Sequence, residues 1–135
     1  AEEAIRLHKE AFSDDPVLTF ADLLLEAQAP AILVTAAGLG TLNRTALTLE
    51  AMQRRGIECA GLVIGAWPEN PDLASLTNLH DLQLLAGAPL AGVVPDGMSF
   101  LTPKQFENVA RAGLSPRFGG EFDADRFVER VEELL

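Results

Sequence analysis

The sequence predicts an α/β fold in which a parallel sheet forms the middle of three layers, with helices flanking it. Short apolar runs and amphipathic stretches alternate after residue 18, as expected for successive strand and helix units. The first of these runs, residues 31–35, is apolar until its last residue, which is typical of a strand covered on both faces. Gly and Pro clusters lie between these segments, so residues 1–135 are predicted to form one domain.

Each element is predicted from local signals in the sequence. The predicted strands are residues 31–35, 59–64 and 90–94. The predicted helices are residues 20–28, 41–55, 72–86, 103–113 and a terminal helix after Asp123. Thr19 and Thr102 are the expected N-caps of two helices, because each is followed three residues later by Asp or Gln. Gly56 and Gly87 are the expected stops. One face of the terminal helix should carry Phe127, Val131 and Leu134.

Composition excludes several classes of function. The formal net charge is −10, and the ten Lys and Arg residues are scattered, which argues against a nucleic-acid surface. No apolar run approaches the roughly 20 residues that span a bilayer, and the first residues lack the basic start of a signal peptide. We therefore expect a cytoplasmic protein with neither nucleic acid nor membrane as a partner.

Residues typical of catalysis are scarce. Cys59 lies in an apolar run and is interpreted as a small buried hydrophobic residue. His8 and His80 are isolated and are expected to be solvated or paired locally. No spacing suggests a metal site. Three acidic residues of the last helix are expected to form its solvent-exposed face: Glu129, Glu132 and Glu133.

The loops that follow the strands are the expected binding region, because ligands of open parallel sheets lie beyond the C-terminal strand ends. Free N–H groups at the start of the second helix, near Thr41, Leu42 and Asn43, can receive a carboxylate or a phosphate. An alternative remains open, in which Asn43 is only a polar first-turn residue and Gly40 only permits a tight turn. Trp67 either flanks a flat base or caps the core, and we favour the cap.

Two segments, residues 31–45 and 60–68, resemble the dethiobiotin synthetases, most closely the actinobacterial ones. Residues 46–52 and 78–82 also fit, so the resemblance covers about residues 18 to 101. It implies a partial P-loop NTPase-like fold and a homodimer that binds 7,8-diaminononanoate at the subunit interface. It further implies that CO2 is the second substrate and that MgATP drives closure of a ureido ring.

The resemblance also assigns candidate site residues. The substrate carboxylate would be received across the dimer by Gly40, Thr41, Leu42 and Asn43, where Arg44 replaces a histidine that is often present. The nucleotide base would contact Gly65, Ala66, Pro95, Asp96 and Gly97. Many relatives have Asn at the position of Gly65. A base-specific hydrogen bond is thus expected to be missing, and ATP or another nucleoside triphosphate would be accepted.

The most serious departure from the family pattern concerns the phosphate-binding motif. No Gly-x-x-x-x-Gly-Lys-Thr/Ser occurs in the 135 residues, so no P-loop nest and lysine are present to hold phosphates. Phosphoryl transfer depends on such positioning, and the chain by itself is expected to be inactive. We expect the C-terminal half of a synthetase. The alternatives are a non-catalytic dimerisation or regulatory module, and another P-loop relative such as a partitioning ATPase.

Overall fold

A computed structural model describes residues 18–133 of the chain. The expectations for His8 and Leu134 lie outside these residues. Between residues 18 and 133, none of the helices is long and apolar enough to cross a membrane.

The described residues form a parallel sheet with flanking helices, which confirms the predicted fold class. The strands, in sheet order, are β1 (Ala31–Thr35), β2 (Cys59–Trp67) and β3 (Gly92–Pro95). The helices are α1 (Phe20–Glu26), α2 (Thr41–Arg55), α3 (Leu73–Ala86), α4 (Pro103–Gly113) and α5 (Ala124–Glu132). Short 3-10 turns lie at Met98–Phe100 and Pro116–Phe118.

The predicted helix ends are confirmed at the caps. Thr19 and Asp22 form a capping box at the start of α1, and Thr102 and Gln105 form another at the start of α4. Gly56 ends α2 in the left-handed conformation, with φ of 72°, as Gly87 does after α3 with φ of 64°. Local sequence was sufficient here because a cap depends on residues within one turn of each other.

Two strand boundaries differ from the prediction. β2 continues to Trp67 instead of ending at Ile64, because Trp67 pairs with Pro95 of β3 after a register shift beyond Ile64. Gly65 and Ala66 therefore belong to a strand and not to a loop. β3 begins at Gly92 and not at residue 90. α1 is also shorter than predicted, ending at Glu26.

The expectation that β1 is covered on both faces is wrong for the described residues. Val34 is 61% exposed and Ile32 is 45% exposed, whereas Leu33 and Thr35 are partly buried. β1 is an edge strand, and α2 packs on the face that carries Thr35. The central strand β2 fits the expectation instead, with Leu62, Val63 and Ile64 all buried.

The core lies between the sheet, α3 and the C-terminal segment. Ile64 of β2 and Leu82 of α3 are fully buried, and Phe122 and Val131 join the same cluster. Trp67 packs edge-on against Phe127, with ring centroids 5.4 Å apart. Trp67 thus caps the core, as predicted, and this contact anchors the end of β2 that borders the candidate site.

Candidate functional site

The candidate carboxylate site lies where β1 passes into α2. The chain leaves β1 at Thr35 and enters α2 at Thr41 through a short loop that includes the buried residue Ala37. Gly40 is the N-cap of α2, with φ of 83° and no side chain to cap the helix. Because an L-residue adopts this conformation only at a cost, Gly40 sets the direction in which α2 begins.

A chain of threonine hydroxyls joins β1 to the first turns of α2. The Thr41 hydroxyl donates to the carbonyl oxygen of Ala36 at 2.8 Å. A hydroxyl has one hydrogen, so the 2.6 Å bond between Thr35 and Thr41 must be donated by Thr35. By the same reasoning, Thr45 donates to Thr35 at 2.8 Å. The order from Thr45 to Thr35 to Thr41 to Ala36 gives each hydrogen one acceptor.

Asn78 of α3 holds the same loop from the other side. Its Nδ2 donates to the carbonyl oxygens of Ala37 at 2.8 Å and Gly38 at 3.1 Å. The Asn78 side chain is buried, with 7% of the residue exposed. The loop is thus fixed by contacts from both β1 and α3 before α2 begins.

The first turn of α2 carries backbone donors that are unpaired among the described residues. Among residues 18–133, the backbone N–H groups of Leu42 and Asn43 donate no hydrogen bond, while Arg44 N–H donates to Gly40 at 3.4 Å. Gly40 and Asn43 are exposed, and Leu42 packs partly against the core. This geometry suits an anion, because free N–H groups and the helix dipole both favour negative charge.

Thr41 occupies a different position from the other predicted carboxylate contacts. It is only 1% exposed, and its N–H donates to the Gly38 carbonyl oxygen at 3.3 Å. Its hydroxyl belongs to the threonine chain. The contact of Thr41 with substrate stays a prediction, and in this structure its polar groups hold the loop.

The predicted base-binding residues meet at the ends of β2 and β3. The Asp96 N–H donates to the Trp67 carbonyl oxygen at 2.8 Å, which ties the loop after β3 to the last residue of β2. The Gly97 N–H donates to Asp96 Oδ1 at 2.7 Å, and Gly97 adopts φ of 78°. Pro95, Asp96 and Gly97 are all exposed. They form an open ledge that leaves the second carboxylate oxygen of Asp96 toward solvent.

Gly65 is constrained by packing as well as by its predicted role. A Cβ atom built at Gly65 would lie 2.6 Å from Cγ1 of Val34 in the neighbouring strand. Any larger residue here must displace the Val34 side chain, which is exposed and able to move. Ala66, the next predicted base contact, is exposed on β2.

The remaining candidates behave as polar surface or structural residues. His80 and the predicted acidic wet face of α5, Glu129, Glu132 and Glu133, are exposed, as expected. Cys59 is partly buried, less than predicted, and its Sγ lies 3.6 Å from the Gly61 carbonyl oxygen. Hydrogen bonds from Ser75 hold the pKa of Asp72, the N-cap of α3, below its ordinary value.

The described residues do not fit a magnesium ion or a triphosphate. From residue 18 to 133 no group of three or more His, Cys, Asp or Glu side chains could hold a metal ion. The P-loop motif that would wrap phosphates does not occur in the 135 residues. We therefore derive no step through either group from these residues.

A family model described as an AAA domain matches residues 11–100. The chain belongs to the AAA domain family. The match agrees with a P-loop NTPase-like fold, of which the described residues form a parallel sheet and its helices. It includes α2, α3 and the loops that border the candidate site.

Curated relatives have one name in common. The chain is 54% identical over 112 residues to the ATP-dependent dethiobiotin synthetase BioD of Parafrankia sp. (strain EAN1pec), covering 83% of this chain and 47% of the relative. It is 50% identical over 112 residues to the protein of that name from Streptomyces coelicolor, covering 83% and 47%. The chain thus spans about half the length of the curated relatives it matches. The predicted family resemblance is confirmed.

Two residues that build the site were not identified from sequence as part of it, Thr45 and Asn78, whereas Thr35 lies in a loop that was expected to border the site. The spacing of four residues between Thr41 and Thr45 places both on one helix face, which is a usable signal. Asn78 offers no comparable signal, because its partners lie 40 and 41 residues earlier.

Proposed function

We propose that this chain is the substrate-receiving part of an ATP-dependent dethiobiotin synthetase, which closes the ureido ring of 7,8-diaminononanoate with CO2 in biotin synthesis. The observation that carries the proposal is the identity of 50–54% to proteins of that name over most of the chain. The free N–H groups at the start of α2 add a physical reason, since a straight-chain amino acid needs a receptor for its distal carboxylate.

In this proposal the chain binds and orients the substrate. Gly40, Leu42 and Asn43 receive the carboxylate at the start of α2, while Thr41 holds the loop. Gly65, Ala66 and the loop from Pro95 to Gly97 border the nucleotide base. The phosphates and Mg²⁺ require a P-loop that the 135 residues do not contain, so the chain alone is inactive.

The proposal includes a cytoplasmic homodimer in which α2 of one subunit serves the site of its partner. The exposed side chain of Leu39, directly before Gly40, supports this assembly, because 88% of that residue is open to solvent. Leu47 on α2 is also exposed, at 57%. Burial of both residues against a second copy would remove apolar area from water.

A chimera tests the proposed reaction. In it, this chain replaces the matched segment of the Streptomyces coelicolor relative, and conversion of 7,8-diaminononanoate is followed by mass spectrometry with MgATP and bicarbonate. We expect the chimera to form dethiobiotin and the 135-residue chain alone to form none. The unmodified relative is the positive control. A folded chimera that forms no product beside an active relative would contradict the proposal.

The alternative is a non-catalytic module that only dimerises or regulates. Calorimetry separates the two functions. If the chain is part of an active synthetase, the chimera should bind diaminononanoate in the presence of MgATP. If the chain is only a module, the chimera should not bind the diamine.

A further inference from the structure

Asn78 links α3 to the loop that precedes the candidate carboxylate site. Its two amide hydrogens are both used, on the carbonyl oxygens of Ala37 and Gly38. Because both partners are acceptors, the side chain must present its NH2 group to them, and this fixes the orientation of the amide. Only 7% of Asn78 is exposed, so these bonds form in a largely water-free environment.

The two carbonyl groups held by Asn78 have an electrostatic consequence for an anion. A carbonyl oxygen carries partial negative charge and repels a carboxylate, whereas the N–H groups of Leu42 and Asn43 attract it. Asn78 binds both carbonyl oxygens to a buried donor, and the Gly38 oxygen also accepts from the N–H of Thr41, the first residue of α2, so Asn78 fixes the loop against this helix end. The N–H groups of Leu42 and Asn43 make no backbone hydrogen bond among residues 18–133, so the position of the loop determines how an anion can approach them.

We propose that Asn78 is a positioning residue that sets the affinity of the site for the substrate carboxylate, acting through the loop before Gly40. This inference rests on the proposed function. Asn78 contacts the loop and not the reacting atoms, so its loss should raise the KM for diaminononanoate and change kcat little.

A purely structural role is the competing explanation, and Ser75 provides a matched control. Ser75 also lies on α3, is 3% exposed, and its hydroxyl donates to Asp72 Oδ1 at 2.7 Å. The S75A variant therefore loses a partly buried hydrogen bond of the same helix, and this bond does not involve the loop before α2. General destabilisation should affect S75A and N78L alike.

The test uses the chimera with two substrates, 7,8-diaminononanoate and its neutral carboxamide. For N78L we expect the KM for the carboxylate to rise about tenfold or more, with the KM for the carboxamide changed less than about twofold. S75A should leave both KM values near those of the parent chimera. N78S, which retains a hydroxyl, serves if N78L does not fold.

An equal effect of N78L on both substrates, or the same KM values in N78L and S75A, would overturn the role of Asn78. If the parent chimera is inactive, the proposed function fails. The positioning role of Asn78 is then tested separately, by amide hydrogen exchange in the 135-residue chain. The Thr41 N–H, bonded to Gly38, should then exchange faster in N78L than in S75A. Equal exchange rates would overturn it.

Discussion

Thr35 and Thr45 connect the last residue of β1 to the second turn of α2 through a hydrogen bond of 2.8 Å between their hydroxyl oxygens. Thr35 accepts this bond and donates its own hydrogen to Thr41, which is 1% exposed. The start of α2 is therefore attached to the sheet by side chains and not by the backbone loop alone.

The threonine chain predicts unequal effects for its members. Thr41→Val removes a hydroxyl that makes two hydrogen bonds and leaves the Ala36 carbonyl oxygen without its donor, so the free energy of unfolding should fall by about 1–3 kcal/mol. Thr45→Val removes one bond at the end of the chain and should cost less, about 1 kcal/mol.

Urea denaturation of both variants measures this difference. Thr48→Val is the control, because Thr48 is exposed and its hydroxyl bonds only to Arg44 of its own helix. A Thr41→Val variant no less stable than Thr48→Val would show that the hydroxyl chain has no energetic role.

Gly40 and Gly38 form a matched pair for testing the turn into α2. A Cβ atom at either position meets nothing within 4 Å, but only Gly40 has positive φ, at 83°. Gly40→Ala should therefore lower the free energy of unfolding by about 1–2 kcal/mol through backbone strain alone. Gly38→Ala should stay within about 0.5 kcal/mol of the parent. Equal stabilities of the two variants in urea would refute this explanation.

Gly65 and Val34 should be energetically coupled across β1 and β2. Gly65→Ala brings a methyl group to 2.6 Å from the Val34 side chain and should cost about 1 kcal/mol of unfolding free energy. In the Gly65→Ala/Val34→Ala double variant the clash is absent, so the combined cost should be smaller than the sum of the single costs. Thermal unfolding of the four proteins gives the coupling, and strict additivity would argue against the contact.

The cap of α3 predicts a pH dependence. Hydrogen bonds from the Ser75 hydroxyl and N–H lower the pKa of Asp72 in the folded state below its ordinary value of 3.8. Because the folded pKa is the lower one, the stabilisation is present above the unfolded pKa and is lost as pH falls through the folded pKa.

Asp72→Asn tests this dependence, since Asn also caps helices but does not titrate. As pH falls from about 6 to about 3, the Tm of the parent should fall relative to the Tm of Asp72→Asn. Asp81→Asn, an exposed carboxylate on α3 with no hydrogen bond to any residue from 18 to 133, is the control. A pH-independent difference for Asp72→Asn would contradict the assignment.

The sequence by itself determined the features that depend on neighbouring residues. Alternating apolar and amphipathic segments predicted the α/β class, and the capping boxes at Thr19 and Thr102 predicted two helix starts. Residues 31–45 and 60–68 also indicated the family, and the start of the helix at Thr41 was predicted as an anion site. Each of these signals is contained within a few turns of chain.

Tertiary structure alone decided how that helix end is held and how far the strands extend. Asn78 meets Ala37 across 41 residues, and β2 extends to Trp67 because Pro95 pairs with it. The exposure of Val34 on β1 likewise depends on which segments pack against that face of the sheet, and it was found only in the structure. Such contacts depend on the packing of distant segments, and local composition and periodicity contain no information about them.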